Sequence, residues 1–249
     1  NKFIQIFVVS NKETTRYFSN NRKVKKEFIF PWSDESNNPK NNLFEFVDSF
    51  LNKETLFKLI TKYIVLEETK LIKILRPYQY HSVEKILDHI NNTNELNNKL
   101  VDLDQRSKEL NAYVFHATGS GKTLTSFKLC ELLRKDPNIS KVIFLVDRLD
   151  LNIQTINEFN KFAEDDLDET ENTKKLSHQL KNSNSKLIVT TIHKLNRLIE
   201  HNDNNQYKFI KDNKELVNSN IVFIIDECHR SQFGDSTKTL EQLLLSLDL

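Results

Sequence analysis

Cysteine is scarce in this 249-residue chain. The chain also has neither a long apolar run nor a surplus of charge of one sign. The two cysteines, Cys130 and Cys228, are spaced for neither a metal site nor a disulfide framework, so we expect a reducing compartment. The longest apolar runs, such as residues 221–225, fall far short of the roughly 18 residues that a membrane-spanning helix needs. The apolar start at residues 3–9 is too short for a signal peptide. We therefore expect no membrane partner.

The charges of the chain nearly cancel, with 36 Lys and Arg against 35 Asp and Glu and a formal net charge of +1. This balance excludes a polybasic arm or a highly basic DNA clamp, although it allows a local basic groove. Hydrophobic residues make up 38% of the chain, which is enough to build a core and excludes a disordered protein. Methionine is absent and the first residue is Asn1, so we expect a piece of a longer protein.

The pattern of the chain changes near residue 75. Before that point, short runs rich in aromatic and branched residues predict strands. The predicted strands lie at residues 3–9 and 26–30, with 14–18 as a third candidate. Apolar residues then recur at helical spacing, as Leu43, Phe46 and Phe50 do, which predicts helices. We interpret residues 43–75 as a helical connector that follows the end of another domain.

From residue 76 onward, predicted helices and strands alternate. The predicted strands lie at residues 112–115, 141–146, 186–191 and 221–225. The predicted helices lie at residues 78–90, 122–134 and 151–162, with a further one from 192 through 199. A polar loop is expected at residues 91–98. Strands that are apolar on both faces and alternate with helices indicate an α/β fold, with a parallel sheet covered on both sides.

The strongest motif is Ala-Thr-Gly-Ser-Gly-Lys-Thr at residues 117–123, called the phosphate loop below. It follows a predicted strand and opens a predicted helix, which is the context that a phosphate-binding loop needs. Two of the three glycines in the chain, Gly119 and Gly121, lie here, where they allow a tight turn that aims amide groups at phosphate oxygens. Lys122 can reach the β- and γ-phosphates, and the Thr123 hydroxyl can bind Mg²⁺.

The phosphate loop is a variant, because His116 stands where the strict pattern G-x-x-x-x-G-K-S/T has glycine. The alternative is an ordinary glycine-containing turn between a strand and a helix. The intact G-S-G-K-T core favours nucleotide binding. The candidate nucleotide-binding residues of the loop are Thr118, Gly119, Ser120, Gly121, Lys122 and Thr123.

Two carboxylates, Asp226 and Glu227, follow the apolar run at residues 221–225. This places them at the carboxyl edge of a parallel sheet, where α/β proteins bind ligands. Asp226 is the candidate for holding hydrated Mg²⁺, and Glu227 is the candidate for orienting or activating the attacking water. Alone, such a pair is usually a solvated turn. In combination with the phosphate loop, it makes nucleotide hydrolysis the leading hypothesis, with Lys122 as the third catalytic candidate.

The motifs together resemble the R (restriction) subunit of type I restriction enzymes, whose motor is of the superfamily 2 helicase type. The motif from Asp226 to His229 resembles the DEAD/DEAH box. The matching segments are residues 76–80, 116–125, 146–151 with Gln154, 190–194 and 226–234. The resemblance covers nearly the whole chain, with five motifs in the same order as in the family.

The resemblance implies a domain organisation and an activity. Residues 1–42 would end a PD-(D/E)xK nuclease domain whose active site lies outside this sequence, and residues 76–249 would form the first RecA-like motor domain, without the second. The implied activity is Mg²⁺-dependent ATP hydrolysis that drives translocation of double-stranded DNA before remote cleavage. The implied partners are DNA and the modification and specificity subunits, in the cytoplasm of a prokaryotic cell.

The resemblance also implies roles for individual residues. Gln79 would read the adenine of ATP. Arg148, Thr190 and Thr191 would lie near the DNA backbone, which suits a guanidinium and hydroxyl groups. The residues that would couple the nucleotide site to DNA or to the second motor domain are His229 and Arg230.

Two other functions stay open at this stage. One is another superfamily 2 DNA helicase or a type III restriction motor. The other is a non-catalytic, ATP-gated DNA-binding or assembly module, against which Glu227 argues, because an idle motor has no need of a water-positioning carboxylate. The E-x-K sequence at residues 68–70 resembles part of a nuclease motif, but we interpret it as charged surface, since short matches arise by chance.

Overall fold

The computed structural model describes residues 4–21, 24–96, 111–146, 156–157, 159, 173–182, 185–200 and 220–226. The chain divides into two compact units. Unit 1 comprises residues 1–91 and 112–129, and unit 2 comprises residues 92–111 and 130–249. Within the described part of the chain, no helix combines the length and apolar character that a membrane crossing requires.

Unit 1 begins with an antiparallel hairpin of strands β1 (Ile6–Ser10) and β2 (Thr15–Ser19). Both lie close to their predicted positions. The strand predicted at residues 26–30 is wrong, because a 3₁₀ helix occupies Lys26–Phe28 and only Phe30 pairs, in a single bridge to Tyr17. Aromatic and branched residues favour strands only where a partner strand completes the ladder, and here the ladder extends to one residue.

Two short helices follow, each starting at an asparagine. The side chain of Asn42 accepts a hydrogen bond from Phe44 N at the start of α1 (Leu43–Phe50), and that of Asn52 does the same for Thr55 N at the start of α2 (Lys53–Lys58). A π-helical turn, Leu59–Tyr63, continues α2. The predicted helical spacing is therefore confirmed as far as residue 63.

The predicted connector also contains an antiparallel hairpin of β3 (Ile64–Leu66) and β4 (Ile72–Ile74) that the sequence interpretation missed. The turn between these strands carries the E-x-K sequence. Lys70 there has φ 63° and donates its N–H to Glu67 O at 2.7 Å. Residues 68–70 are exposed, as expected for charged surface.

Helices α3 (Pro77–Leu96) and α4 (Lys122–Lys135) bracket the segment that leads into the phosphate loop. Helix α4 matches its prediction within one residue. Helix α3 continues through residues 91–96, so the loop predicted from residue 91 is wrong there. The strand predicted at residues 112–115 is also wrong, since these residues form no strand and the rings of Tyr113 and Phe115 are exposed. An apolar run of four residues indicates a strand only if a ladder covers it.

The core of unit 1 is built from aromatic rings. Tyr17, Trp32, Phe46 and Phe50 are buried together, and the ring centroids of Tyr17 and Phe50 lie 4.6 Å apart. Tyr80 of α3 extends the cluster, with its ring centroid 5.4 Å from that of Trp32. This packing ties the first turn of α3 to α1, to β2 and to the loop that carries Trp32.

Unit 2 contains a parallel sheet of β5 (Lys141–Val146), β6 (Leu187–Thr191) and β7 (Ile221–Ile225) in the order β6-β5-β7. Every residue of β5 is buried, as a central strand covered on both faces requires. Helices α5 (Thr173–Lys181) and α6 (Ile192–Glu200) pack on the sheet through aliphatic side chains. The predicted α/β class is thus confirmed and is consistent with a RecA-like fold, although α5 was not predicted.

Candidate functional site

The phosphate loop has the backbone that its glycines predict. Gly119 has φ +73° and Gly121 has φ +87°, a left-handed region that other residues rarely adopt. A Cβ atom at Gly119 would meet no heavy atom within 4 Å, whereas one at Gly121 would lie 2.7 Å from Gln79 Nε2. Gly119 is therefore needed for its conformation alone, and Gly121 is needed also because a buried side chain lies against it.

Ser120 is held by side chains from three positions. Its carbonyl accepts hydrogen bonds from the Tyr78 hydroxyl at 2.6 Å and from Gln79 Nε2 at 3.3 Å. Its hydroxyl lies 3.1 Å from Nδ1 of His116, and its N–H donates to Ala117 O at 3.2 Å. Every polar atom of Ser120 therefore has a defined partner, which fixes the middle of the phosphate loop.

The amide of Gln79 is also fully engaged in the protein. Its Oε1 accepts a hydrogen bond from Arg76 N at 2.9 Å, and its Nε2 donates to Gly121 O at 3.0 Å. The residue is only 2% exposed. Gln79 thus lies beside the phosphate loop, and its polar atoms bond to the backbone of the loop and of Arg76. Adenine recognition by Gln79 stays a prediction.

His116, the departure from the strict phosphate-loop pattern, packs its ring edge-on to that of Tyr78, with centroids 5.8 Å apart. Burial lowers the pKa of His116, and the charge of Lys122 lowers it further. The neutral imidazole is favoured, and it can exchange a hydrogen bond with Ser120 Oγ. The side chain therefore braces the loop at the position where the strict pattern has glycine.

Helix α4 starts directly after the loop, at Lys122 and Thr123. Its first turn is closed by Gly121 O, which accepts from both N and Oγ1 of Thr125 at 3.2 Å. Lys122 and Thr123 are partly exposed, and Thr118 is exposed. The N–H groups at a helix start favour anions, so this end of α4 has the chemistry that phosphate binding needs.

The carboxyl edge of the sheet in unit 2 brings three other candidates to one side. Asp226 follows β7 and donates its N–H to Leu145 O of β5 at 3.0 Å. Thr190 and Thr191 end β6, on the other side of β5. Both threonines are 0% exposed. Thr191 Oγ1 accepts a hydrogen bond from Lys194 N at the start of α6, while Thr190 Oγ1 has no hydrogen-bond partner among the described residues.

The remaining candidates, Glu227, Arg148, His229 and Arg230, lie outside the described residues. Thr123 belongs to unit 1 and Asp226 to unit 2, so a shared Mg²⁺ site stays a prediction. Within the described ranges, no group of three or more His, Cys, Asp or Glu residues could hold a metal ion by itself.

Tyr78 was not predicted as a site residue, yet its hydroxyl bonds to the phosphate loop at 2.6 Å. The signal was present, because Tyr78 precedes Gln79 in a segment that the motifs singled out. What the sequence alone cannot show is that a hydroxyl 42 positions before Ser120 reaches its carbonyl. It also could not show that His116 contributes to the same contact.

A parallel sheet with helices packed on it and a glycine-turned loop at the start of a helix defines an α/β protein with a candidate nucleotide site. The sequence model of the SWI2/SNF2 ATPase family matches residues 78–248. This range takes in the phosphate loop, Asp226 and Glu227.

The chain is also similar to curated relatives. It is 44% identical, over 97% of its length, to the type I restriction enzyme SsaAORF53P endonuclease subunit of Staphylococcus saprophyticus. It is 40% identical, over 85% of its length, to a putative type I restriction enzyme MpnIIP endonuclease subunit, C-terminal part, of Mycoplasma pneumoniae, and covers 98% of that protein. It is 25% identical to a putative MjaIXP endonuclease subunit of Methanocaldococcus jannaschii, over 98% of this chain and 24% of that protein.

The chain therefore belongs to the SWI2/SNF2 ATPase family and, within it, to the endonuclease subunits of type I restriction enzymes. The family resemblance inferred from the motifs is confirmed. The chain spans 24% of the length of the staphylococcal relative.

Proposed function

We propose that this chain is the ATP-binding motor portion of a type I restriction endonuclease subunit, which hydrolyses ATP in the presence of Mg²⁺ and uses it to move double-stranded DNA. Residues 76–249 supply the first motor domain, after a nuclease remnant at 1–42 and a connector at 43–75. The observation that carries the proposal is the phosphate loop, where Gly119 and Gly121 take positive φ directly before the start of α4.

The residues present fit a magnesium–triphosphate group. The positive φ of Gly119 and Gly121 turns the loop at the start of α4, and Lys122 supplies a cation there. The hydroxyl of Thr123 and the carboxylate of Asp226 are oxygen ligands of the kind that Mg²⁺ takes. When bound, Mg²⁺ neutralises charge on the β- and γ-phosphate oxygens.

Each candidate residue has a separate task in the proposed reaction. Lys122 binds the β- and γ-phosphates and stabilises the negative charge that develops there. Thr123 and Asp226 hold the metal, and Glu227 orients the attacking water and accepts its proton. The N–H groups of the loop and of the first turn of α4 bind the remaining phosphate oxygens.

The DNA-directed part of the proposal rests on family membership. Arg148, Thr190 and Thr191 are proposed to contact the DNA backbone, and His229 and Arg230 to couple that contact to the nucleotide site. Thr190 and Thr191 are buried at the sheet edge in the form described, so DNA contact by their side chains requires the edge to open. The proposed partners are the modification and specificity subunits, in the cytoplasm, where the DNA substrate is.

The decisive experiment is the change Lys122→Ala in the assembled restriction complex. We expect ATP-dependent DNA translocation and ATPase rate to fall by about 10²-fold or more, because one donor to the transferring phosphoryl group is lost. Assembly of the complex should be unchanged. Lys135→Ala is the matched control, since Lys135 ends the same helix and its ammonium pairs on the surface with Glu131. Translocation at the normal rate in Lys122→Ala refutes the proposed function.

A further inference from the structure

Two consecutive carbonyls of the phosphate loop are held by the first turn of α3. Tyr78 donates its hydroxyl to Ser120 O at 2.6 Å. Gln79 donates Nε2 to Gly121 O at 3.0 Å and reaches Ser120 O at 3.3 Å. Both carbonyls are therefore bonded to α3, and the Gly121 carbonyl also accepts from Thr125 N and Oγ1 in the first turn of α4.

The direction of a carbonyl fixes the direction of the next N–H group. In a trans peptide the C=O of one residue and the N–H of the following residue point in opposite directions. The peptides that follow Ser120 and Gly121 are trans. With both carbonyls turned towards Tyr78 and Gln79, the N–H groups of Gly121 and Lys122 point away from α3. N–H groups so placed at the start of a helix are the donors that bind phosphate oxygens.

We infer that Tyr78 and Gln79 are positioning residues of the nucleotide site, which preset the Gly121 and Lys122 N–H groups for a triphosphate by holding the carbonyls of Ser120 and Gly121. The inference rests on the proposed nucleotide site and deepens it. A loop whose peptides are already oriented loses less conformational entropy when the phosphates bind, so affinity is higher than for a loop free to turn.

His116 adds a restraint on the same peptide from within the loop. Its Nδ1 lies 3.1 Å from the Ser120 hydroxyl, and its ring packs edge-on to the ring of Tyr78. Arg76 also donates from its Nη1 to the Tyr78 hydroxyl at 3.0 Å, which leaves that hydroxyl's own hydrogen for Ser120. The Tyr78 side chain is thus restrained at both its ring and its hydroxyl.

Positioning of the phosphate loop and recognition of adenine predict different effects of Gln79 on the affinity for ligands. A residue that reads the base matters for ATP and not for a triphosphate that has no base. A residue that orients the loop matters equally for both, because it acts through the phosphates. At 2% exposure and with both amide atoms bonded to backbone, Gln79 is placed for the second role.

The test compares binding of ATP and of inorganic tripolyphosphate, each with Mg²⁺, to the full chain and its variants. Tyr78→Phe keeps the ring and removes one hydrogen bond, so we expect about three- to tenfold weaker binding of both ligands. Gln79→Ala should weaken both ligands by a common factor. Tyr17→Phe is the matched control, because it removes a tyrosine hydroxyl bond of 3.0 Å to Leu75 O in the same unit. It should lower the melting temperature and leave both affinities unchanged.

Several results overturn the inference. Normal affinities in Tyr78→Phe would do so, as would a Gln79→Ala chain that loses affinity for ATP alone. An unaltered chain that binds ATP but not tripolyphosphate would show that the loop is not preset for phosphates. None of these three touches the proposed function. If the unaltered chain binds no nucleotide at all, the proposed function fails and the inference fails with it.

Discussion

The two units of the chain bury different kinds of core. In unit 1 the centre consists of large rings, several of which end in a polar atom with a fixed partner, as Tyr17 does through its bond to Leu75 O. In unit 2 one face of the sheet is aliphatic, with Ile143 and Leu145 of β5 packed against the leucines and isoleucines of α5 and α6, while Phe144 of the same strand pairs with the ring of Phe159. Unit 1 has short hairpins and helices around its rings, whereas unit 2 has a regular parallel sheet.

The difference shows how each unit fixes the positions of its atoms. An aliphatic core specifies which faces are buried and little else, because branched side chains of similar volume can replace one another. Rings with polar ends must place both a flat surface and a hydrogen bond, so they specify positions more closely. The phosphate loop belongs to the second kind of packing, since Tyr78, Gln79 and His116 hold it through polar atoms.

The largest expected effect is on unit 1, where few side chains carry much of the core. Phe50→Ala should lower the free energy of unfolding by about 4–5 kcal/mol, since it leaves a cavity and removes ring contacts to Tyr17, Trp32 and Phe46. Trp32 is the single tryptophan of the chain, and its ring centroid lies 5.1 Å from that of Phe50. Denaturant unfolding followed by its fluorescence therefore reports on the unit that is altered.

The matched change in unit 2 is Ile143→Ala, on the central strand of the aliphatic core. We expect the free energy of unfolding to fall by about 3 kcal/mol, measured by circular dichroism at 222 nm, because transfer and cavity terms apply to an aliphatic side chain whose partner on β7, Phe223, is only partly buried. If Phe50→Ala and Ile143→Ala lower the free energy of unfolding equally, the two kinds of core do not differ in how much one large side chain stabilises them.

The same contrast explains how much of the fold the sequence could predict. Strand β5 was predicted at its observed bounds, and β6 and β7 within one residue, because a run that is apolar on both faces has few other solutions in an α/β chain. The start of α4 was predicted from the loop motif. Periodicity is a local property, and in the strands of unit 2 local and tertiary structure agree, although helix α5 of that unit was not predicted.

In unit 1 the predictions were less accurate, because neighbours distant in sequence decide the outcome. Residues 26–30 have strand composition, but most of them take a 3₁₀ turn and only Phe30 finds a partner. The hairpin of β3 and β4 follows a π-helical turn. The sequence there gives no signal that the helical spacing of apolar residues gives way to a strand. The contacts that hold the phosphate loop could not be predicted for the same reason, since they join α3 to a loop some 40 positions later in the sequence.

A buried lysine gives unit 2 its own polar restraint, which makes the contrast between the units less than complete. Lys141 is 5% exposed, and its ammonium donates to the carbonyls of Gln179, Asn182 and Ser185 at 3.2, 2.8 and 3.2 Å. Burial lowers the pKa of Lys141. We expect Lys141→Met to cost about 2–3 kcal/mol in the free energy of unfolding, because three carbonyls between the last turn of α5 and the start of β6 lose their donor.

Lys186→Met is the control for this change. Among the described residues its ammonium bonds to one carbonyl, Asp136 O, at 3.3 Å, so we expect the free energy of unfolding to fall by about 0.5 kcal/mol. Both variants are measured by denaturant unfolding with circular dichroism. Equal effects would mean that the three-carbonyl arrangement is no more stabilising than one surface bond.

A smaller effect is expected at the polar edge of the aromatic core. Glu84 accepts hydrogen bonds from the Tyr63 hydroxyl and, at 2.6 Å, from Lys58 Nζ. Glu84→Gln should lower the free energy of unfolding by about 1–2 kcal/mol. Glu54 is an exposed partner of Lys58, so Glu54→Gln should lower the free energy of unfolding by less than about 0.5 kcal/mol. The bond to Glu84 raises the pKa of Lys58, so this contribution is present below pH 10.5 and is lost as the pH rises further. Unfolding at pH 7 and above pH 11 checks both statements.

The smallest effect is on the pH dependence of unit 1 and comes from the phosphate loop itself. Burial, and then the charge of Lys122, lower the pKa of His116 below 6.5, so the folded chain binds this proton less tightly than the unfolded chain. Stability from His116 is therefore present above pH 6.5 and declines as the pH falls below it. His116→Asn offers Ser120 a hydrogen bond without titrating, so its melting temperature should fall less between pH 6.5 and 5.5. Parallel curves for the two chains would show that the pKa of His116 is the same in the folded and the unfolded chain, and that polar bracing of the loop does not depend on its charge.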